Sequence, residues 1–174
     1  MRIYVCPLSQ VTERVALYKP GRVISLLDPA TPFPELGASY ADRHLRLEFH
    51  DITLPHPIYI MPQPEHVAEI LRFITAWDRK EPLLIHCYAG ISRSTATAYI
   101  AACVANPHVN EHELAVSLRR AAPLARPNEA LVALADAALG RQGRMSAGIA
   151  LTGRDLPWPD VDEGVPFGLP LAAN

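Results

Sequence analysis

Short apolar runs in the first half of the chain predict four β-strands. Leu45, Leu47 and Phe49 alternate with the charged residues Arg46 and Glu48, which is the period of a strand with one buried face. Nearly unbroken aliphatic runs, typical of buried strands, predict most of the others. The four predicted strands cover residues 2–5, 23–27, 45–49 and 82–85.

Apolar positions at helical spacing fill the intervals between these strands and the residues that follow them. The clearest apolar face follows Pro64, a residue suited to a first helical turn, and continues to Asp78. Ser9 is the predicted N-cap of an earlier helix that ends near Lys19. The predicted helices cover about residues 9–19, 64–78, 95–105, 110–120 and 127–139.

The alternation of strands with helices favours an α/β fold with a central, mostly parallel sheet of four to five strands and helices on both faces. The 174 residues suit one domain, which we place at residues 1–144. From Met145 onward the helical period is lost and prolines accumulate, so residues 145–174 are predicted to form an extended or disordered tail. Trp158 and Phe167 are the residues predicted to anchor an extended tail.

Composition places the chain among ordinary globular proteins. It is 49% hydrophobic and carries a net charge of −2, which gives no bulk attraction to nucleic acid or to a membrane surface. No apolar run reaches the length of about 18 residues that suggests a membrane-spanning helix, and the N-terminus has no signal-peptide pattern. Three cysteines, an odd number, argue against a disulfide framework. We therefore expect a cytoplasmic protein.

The nonapeptide at residues 86–94, His-Cys-Tyr-Ala-Gly-Ile-Ser-Arg-Ser, carries the strongest chemical signal. It joins the predicted strand at 82–85 to the predicted helix at 95–105, so its backbone N–H groups would gather at a helix N-terminus, where the dipole is positive. An oxyanion bound there meets the planar guanidinium of Arg93, and the same field favours the thiolate form of Cys87. A nucleophile beneath a bound phosphate suffices for phosphoryl transfer to sulfur. The predicted phosphate-binding residues are Tyr88, Ala89, Gly90, Ile91, Ser92 and Arg93.

The pattern His-Cys-x5-Arg-Ser resembles the cysteine-dependent protein tyrosine phosphatase superfamily, and most of all its dual-specificity branch. The resemblance covers about residues 1–140 and is sharp only at residues 86–94. It implies the fold of the Cys-based phosphatases and hydrolysis of a phosphomonoester through a phosphocysteine intermediate, without a cofactor. The roles it implies are Cys87 as nucleophile, Arg93 as phosphate clamp, Ser94 as the hydroxyl that assists thiolate departure, and His86 as an orienting residue.

The leaving oxygen needs a proton, and Asp51 is the predicted general acid. It follows the strand at 45–49 and opens a proline-rich loop, and in the resembling enzymes an aspartate lies at such a position before the cysteine. A loop-capping role is the alternative for Asp51. Asp28 ends another strand at the same edge of the sheet and is the second candidate for the acid.

The expected partner is a phosphorylated protein or a small phosphomonoester, with no role for nucleic acid or a membrane. A phosphoinositide is less favoured because residues 88–92 contain no lysine to meet further phosphates. Two alternatives remain open: a catalytically silent phosphate-binding module, and a phosphatase of a non-protein metabolite. A sulfurtransferase or an arsenate reductase also uses a cysteine loop, but neither fits the motif and its position in the chain.

Two further groups of side chains carry weaker signals. Four histidines lie close in sequence without any compact zinc-binding spacing, so no metal site is predicted. Cys6 is the better of two candidate redox partners for Cys87, and Cys103 is expected to be a buried structural thiol. The histidines are His44, His50, His56 and His66.

Overall fold

A computed structural model describes residues 2–153 and 158–171 of the chain. These residues form a central sheet with helices packed against it, in the alternating order that the sequence predicts. The strands are β1 (Arg2–Pro7), β2 (Arg22–Leu27), β3 (His44–Glu48), β4 (Leu83–Cys87) and β5 (Phe167–Pro170). The helices are α1 (Val11–Tyr18), α2 (Pro64–Thr75), α3 (Arg93–Ala105), α4 (Glu111–Ala121), α5 (Glu129–Ala138) and α6 (Arg144–Gly153).

The sheet has the order β3-β2-β4-β1-β5, and its first four strands are parallel. Only β5 runs antiparallel, beside β1. The prediction of a mostly parallel sheet of four to five strands is therefore confirmed. Because the carboxyl ends of parallel strands meet at one edge, the segments that follow β2, β3 and β4 converge there, and ligands bind at such an edge in open α/β sheets.

Alternate residues of the central strands face two separate cores. Ile85 and its neighbours on one face pack with α2 to α6 in the larger core. Leu84, on the other face, packs with Val11 of α1 and with Cys6 in the smaller one. Both faces are covered, which explains why the central strands read as nearly continuous apolar runs. The prediction of helices on both faces is confirmed.

Helix α3 is enclosed by the sheet on one side and by helices on the other, and every residue except Val104 is buried. Its two threonines satisfy their hydroxyls on carbonyls one turn earlier, since Thr97 Oγ1 donates to the Arg93 carbonyl at 2.9 Å and Thr95 Oγ1 to the Ile91 carbonyl at 2.6 Å. A helix buried on all sides is a rigid support for whatever side chain stands at its first turn.

The predicted cap at Ser9 is wrong. A short 3-10 turn over Leu8–Gln10 follows β1 directly, and α1 begins only at Val11. Ser9 lies inside that turn, and its hydroxyl donates instead to Glu163 Oε2 at 2.7 Å. Two later helices do have side-chain caps, because Asn110 and Asn128 accept the N–H groups of His112 and Leu131.

The prediction of an extended or disordered tail from Met145 is also wrong for the residues that are described. Helix α6 and strand β5 lie within that segment, and Phe167 of β5 packs against the core as predicted. Trp158 is 65% exposed and does not anchor the chain. The limit of the domain at residue 144 stays a prediction.

The sequence carries no local signal for the start of helix α6, because the group that caps it comes from another helix. Asp136 of α5 accepts the N–H groups of Gly143, Met145 and Ser146 at 2.6, 2.7 and 3.1 Å, which satisfies donors at the start of α6. Gly148 allows a close approach to α3, since a Cβ there would lie 2.8 Å from Tyr99 Oη. A helix that packs through glycine shows little hydrophobic periodicity.

Within the described ranges, no helix has the length and apolar character needed to cross a membrane.

Candidate active site

The predicted phosphate-binding residues form the connection between β4 and α3. Cys87 is the last residue of β4 and Arg93 the first of α3, so five residues turn the chain from strand to helix. The Cys87 and Arg93 residues are 2% and 3% exposed, whereas Tyr88 is exposed beside them. The predicted nucleophile and the predicted clamp therefore stand at the two ends of one loop, on the two most enclosed elements of the fold.

The carbonyl groups of this loop are turned away from its interior. Three of them accept backbone N–H donors from other parts of the chain: Tyr88 from Leu8 at 2.9 Å, Ala89 from Gly164 at 2.7 Å, and Ile91 from Arg126 at 2.9 Å. A peptide carbonyl and the following N–H point in opposite directions. The N–H groups of Ala89, Gly90 and Ser92 are thus directed inward, as in the backbone nests that bind anions.

Gly90 is required for this loop conformation. Its φ is +73°, in the left-handed region, and a Cβ at this position would lie 2.8 Å from the Pro7 nitrogen at the end of β1. A side chain is therefore excluded both by the backbone conformation and by the close approach of β1. The N–H of Gly90 donates to Cys87 Sγ at 3.3 Å.

Cys87 Sγ has a second polar neighbour, the Ser94 hydroxyl at 3.1 Å. Ser94 is fully buried in the first turn of α3. A hydroxyl and an amide thus lie within hydrogen-bond distance of the sulfur, beside the N-terminus of α3. The structure thus brings together Cys87 and Ser94, as the resemblance implies.

The guanidinium of Arg93 is held from one side. Its Nη1 donates to Asp28 Oδ1 at 2.8 Å and to the Phe49 carbonyl at 2.6 Å. Its Nε is buried and has no hydrogen-bond partner among the described residues. A buried N–H without a partner costs free energy, so this atom is suited to receive an oxygen of a bound anion.

Asp51 lies at the same loop, as predicted. Its Oδ1 accepts from Ser92 Oγ and from Asn128 Nδ2, both at 2.7 Å, and its Oδ2 lies 3.9 Å from Arg93 Nε. Asn128 also caps α5 and donates to the Ile52 carbonyl. The predicted acid is therefore fixed to the phosphate-binding loop at one oxygen, with its other oxygen directed toward the arginine.

Asp28, the second candidate for the acid, has a different neighbourhood. It lies at the same edge of the sheet, but its carboxylate is paired with Arg93 Nη1. An ion pair with the phosphate clamp positions the guanidinium and keeps Asp28 engaged. This contact favours Asp51 over Asp28 as the proton donor.

His86 belongs to a buried chain of three side chains. His86 Nε2 and His44 Nε2 both lie within hydrogen-bond distance of Ser25 Oγ, at 2.5 and 2.6 Å, while His86 Nδ1 lies 3.3 Å from the Cys87 carbonyl. A single hydroxyl donates only one proton, so it donates to one imidazole and accepts from the other. The arrangement fixes the ring of His86 directly beside Cys87.

Burial lowers the pKa of both histidines to about 4, and each has a cation that adds to the effect, Arg93 near His86 and Arg46 near His44. The unfolded chain binds these protons near pH 6.5 and the folded one only near pH 4. The contribution of these two histidines to the free energy of unfolding is therefore fully present above pH 6.5. We expect it to fall by about 2 kcal/mol per histidine on going from pH 7 to pH 5. Urea unfolding at the two pH values measures this difference.

The matched comparison is His44→Gln against His112→Gln, which changes an exposed histidine of α4. The first substitution removes one of the two buried groups and is expected to reduce the loss of stability between pH 7 and pH 5. The second leaves that loss unchanged. An equal loss in both variants contradicts the assignment of the acid sensitivity to this buried chain.

A groove of about 730 Å³ extends from Asp51 along the surface. Its walls combine apolar side chains, among them Leu54 and the exposed Trp158, with the guanidinium groups of Arg119 and Arg126. Both cations are tied to carbonyls, Arg119 to those of Thr152 and Pro123. The groove therefore offers apolar and cationic contacts next to the predicted acid.

In the part of the chain that the structure describes, neither the cysteines considered for a redox role nor the four histidines considered as metal ligands lie together in one site. Cys6 packs in the smaller core, on the face of the sheet opposite Cys87, and burial raises its pKa and that of Cys103 to about 12. The four histidines are engaged separately: His44 with Ser25, His50 with the Ile60 N–H, His56 with the Ile58 N–H and His66 with the Gln63 N–H. Among the described residues, no group of three potential ligands is placed to hold a metal ion.

Comparisons with known proteins find a phosphatase family and phosphatase structures. Residues 56–125 match the model of the protein-tyrosine phosphatase family. Human DUSP28 is similar in structure, with a TM-score of 0.60 and 18% identity over 80% of this chain and 94% of that one. The Yvh1 phosphatase domain from Chaetomium thermophilum has a TM-score of 0.56 and 16% identity over 81% and 92% of the two chains.

A third similar structure, PTPMT1 in complex with PI(5)P, has a TM-score of 0.56 and 16% identity over 79% of this chain and 91% of that one. No curated protein sequence matches the chain. The match to the protein-tyrosine phosphatase family covers residues 56–125, and the fold is shared with solved phosphatase structures. Its fold is shared with the solved structures of DUSP28, DUSP15 and the Yvh1 phosphatase domain.

Several residues of the site were not found from the sequence. Ser25 and His44 lie on β2 and β3, and nothing in their local pattern links them to His86. Asn128 caps α5, but its second contact, with Asp51, joins residues 77 positions apart. Gly164 lies beyond the predicted domain and still contacts the loop.

Proposed function

We propose that the protein is a phosphomonoester hydrolase that forms a phosphocysteine intermediate at Cys87 and uses Asp51 as its general acid. The observation that carries this proposal is the loop itself. Its carbonyls are bonded outward, the sulfur accepts the Gly90 N–H, and Arg93 presents a buried Nε without a hydrogen-bond partner among the described residues. These groups supply a nucleophile and a positive field for three phosphate oxygens without rearrangement.

In the first step the Cys87 thiolate attacks phosphorus, the S–P bond forms, and the bond from phosphorus to the leaving oxygen breaks. The electron pair stays on that oxygen, which takes a proton from Asp51. The oxygen Oδ2 suits this role, because Oδ1 is already bonded to Ser92 and Asn128 and Oδ2 lies 3.9 Å from Arg93 Nε. A phosphate held at Nε therefore lies beside the proton donor.

In the second step a water molecule attacks phosphorus and the S–P bond breaks. Asp51, now ionised, takes a proton from the water. The electron pair returns to sulfur, where the Ser94 hydroxyl at 3.1 Å and the Gly90 N–H at 3.3 Å stabilise the thiolate. Inorganic phosphate leaves and the starting state of the enzyme is restored.

The proposed substrates are aryl phosphates of the phosphotyrosine type, on a protein or on a small molecule. The exposed ring of Tyr88 adjoins the nucleophile, and the groove beside Asp51 has both apolar and cationic walls. These features accept an aromatic leaving group with nearby anionic groups. We propose a cytoplasmic setting, since a reducing compartment keeps a catalytic thiolate intact.

Turnover of para-nitrophenyl phosphate tests the reaction class. We expect hydrolysis that follows saturation kinetics and is blocked by vanadate, an anion that occupies the same loop. Binding of vanadate without turnover indicates the silent phosphate-binding module instead. Consumption of thiosulfate with sulfite, in the absence of phosphate release, indicates a sulfurtransferase.

A further inference from the structure

The C-terminal strap, residues 163–167, lies against the outer face of the phosphate-binding loop. Gly164 N–H donates to the Ala89 carbonyl at 2.7 Å. The contact is close, since a Cβ at Gly164 would lie 3.1 Å from the Gly90 carbonyl oxygen and 3.2 Å from Ile91 Cγ1. The strap therefore touches the loop through its backbone, at a position where a side chain would be crowded.

The bond from Gly164 ends on the same peptide unit that contacts the nucleophile. The Ala89 carbonyl and the Gly90 N–H belong to one planar trans peptide and point in opposite directions. The carbonyl accepts from Gly164, and the N–H donates to Cys87 Sγ at 3.3 Å. A direct path of two hydrogen bonds through one peptide thus joins the strap to the sulfur.

The glycine at residue 90 makes rotation of this peptide to the opposite orientation sterically easier than a residue with a side chain would. Glycine adopts positive and negative φ with similar ease, so rotation of the Ala89–Gly90 peptide is not blocked by a side chain at residue 90. In the rotated state the carbonyl oxygen would face the sulfur and repel a thiolate. The observed φ of +73° at Gly90 belongs to the orientation that places the N–H there.

The strap is itself fixed at both ends. Ser9 Oγ donates to Glu163 Oε2 at 2.7 Å, and Phe167 begins β5, which pairs with β1 at Val5. The donor at Gly164 is therefore held by the sheet edge and is not a loosely placed loop atom. Its position is coupled to β1, which also approaches Gly90 at Pro7.

We propose that Gly164 is a positioning residue of the active site, which holds the Ala89–Gly90 peptide in the orientation that stabilises the Cys87 thiolate. The proposal rests on the proposed function of Cys87 as nucleophile. It assigns a part in the chemistry to a segment outside residues 56–125, which match the family, and outside the predicted domain.

Gly164→Pro tests the proposal, because proline has no N–H to donate. Without this donor the Ala89–Gly90 peptide is released, and the Gly90 N–H no longer stabilises the thiolate. We expect the pH midpoint of Cys87 thiolate formation to rise by about one unit, because the free energy of one hydrogen bond to a charged group corresponds to about a tenfold change in proton affinity. The midpoint is read from thiolate ultraviolet absorbance after subtraction of the Cys87→Ser spectrum. The acidic limb of the kcat/KM profile shifts by the same amount.

A control variant separates the lost donor from other effects of a proline. Val165→Pro places the same ring one position later, where the N–H has no hydrogen-bond partner in the described part of the chain. It is expected to retain the wild-type midpoint. An unchanged midpoint in folded Gly164→Pro, or an equal shift in Val165→Pro, overturns the proposal.

If Gly164→Pro fails to fold, an ester in place of the peptide between residues 163 and 164 removes only the N–H, and the same shift is expected. An ester variant with the wild-type midpoint overturns the proposal as well. The titration needs no turnover, so its result is independent of the hydrolase assignment. That assignment fails if Cys87→Ser retains activity, whatever the strap does.

Discussion

Cys87→Ser lowers the turnover of an aryl phosphate by about four to six orders of magnitude, the range found when a covalent nucleophile is removed. Serine keeps the shape of the side chain, but its hydroxyl does not ionise near neutral pH and is a far weaker nucleophile. Binding of inorganic phosphate is expected to persist, because the amides and Arg93 are unchanged. Phosphate release and equilibrium binding are measured on the same preparation.

Cys103→Ser is the matched control. It makes the same chemical change at a thiol buried in α3, whose pKa is raised to about 12 by burial and which lies outside the loop. Its turnover is expected to remain near that of the native protein. Residual hydrolysis above about one hundredth in Cys87→Ser, or an equal loss in Cys103→Ser, argues against a phosphocysteine.

Asp51→Ala is expected to lower kcat by about 10²- to 10⁴-fold for a phosphate ester whose leaving group has a high pKa, which is the usual contribution of a general acid. The loss is smaller for an ester that leaves readily without a proton. The slope of log kcat against leaving-group pKa therefore becomes steeper in the variant. Steady-state rates on a series of substituted phenyl phosphates measure this slope.

Two further substitutions make the result specific. Asp42→Ala changes an exposed aspartate that precedes β3, whereas Asp51 follows that strand at its other end. This substitution is expected to leave the slope unaltered. Asp28→Asn weakens the support of Arg93, so its main effect is expected on phosphate affinity and not on the slope. A normal slope in Asp51→Ala together with a steep one in Asp28→Asn would reverse the two assignments.

The sheet was predictable from the sequence because its signals are local. Four strands and most helices appear in the periodicity, and the loop from Cys87 to Arg93 is a contiguous motif between two buried elements. Asp51 was found because the segment after a parallel strand must emerge at the edge where β4 ends. These inferences need only neighbouring residues and the rule that parallel strands share their direction.

The remaining parts of the structure depend on contacts between distant residues. Helix α6 begins with donors satisfied by Asp136 of α5, and β5 pairs with the distant strand β1. The Ser25 hydroxyl belongs to the site only through its contact with His86, which is 61 residues further along the chain. None of these contacts leaves a period or a spacing in the sequence.

The antiparallel strand β5 also has a consequence for self-association. Without it, β1 would present a row of unpaired N–H and C=O groups to other molecules, a template for aggregation. β5 covers that row with only four residues and ends at Pro170, which has no N–H to offer a further strand. Removal of the C-terminal residues from Phe167 onward would therefore expose an adhesive edge, so a shortened chain should be less soluble even where its helices remain intact.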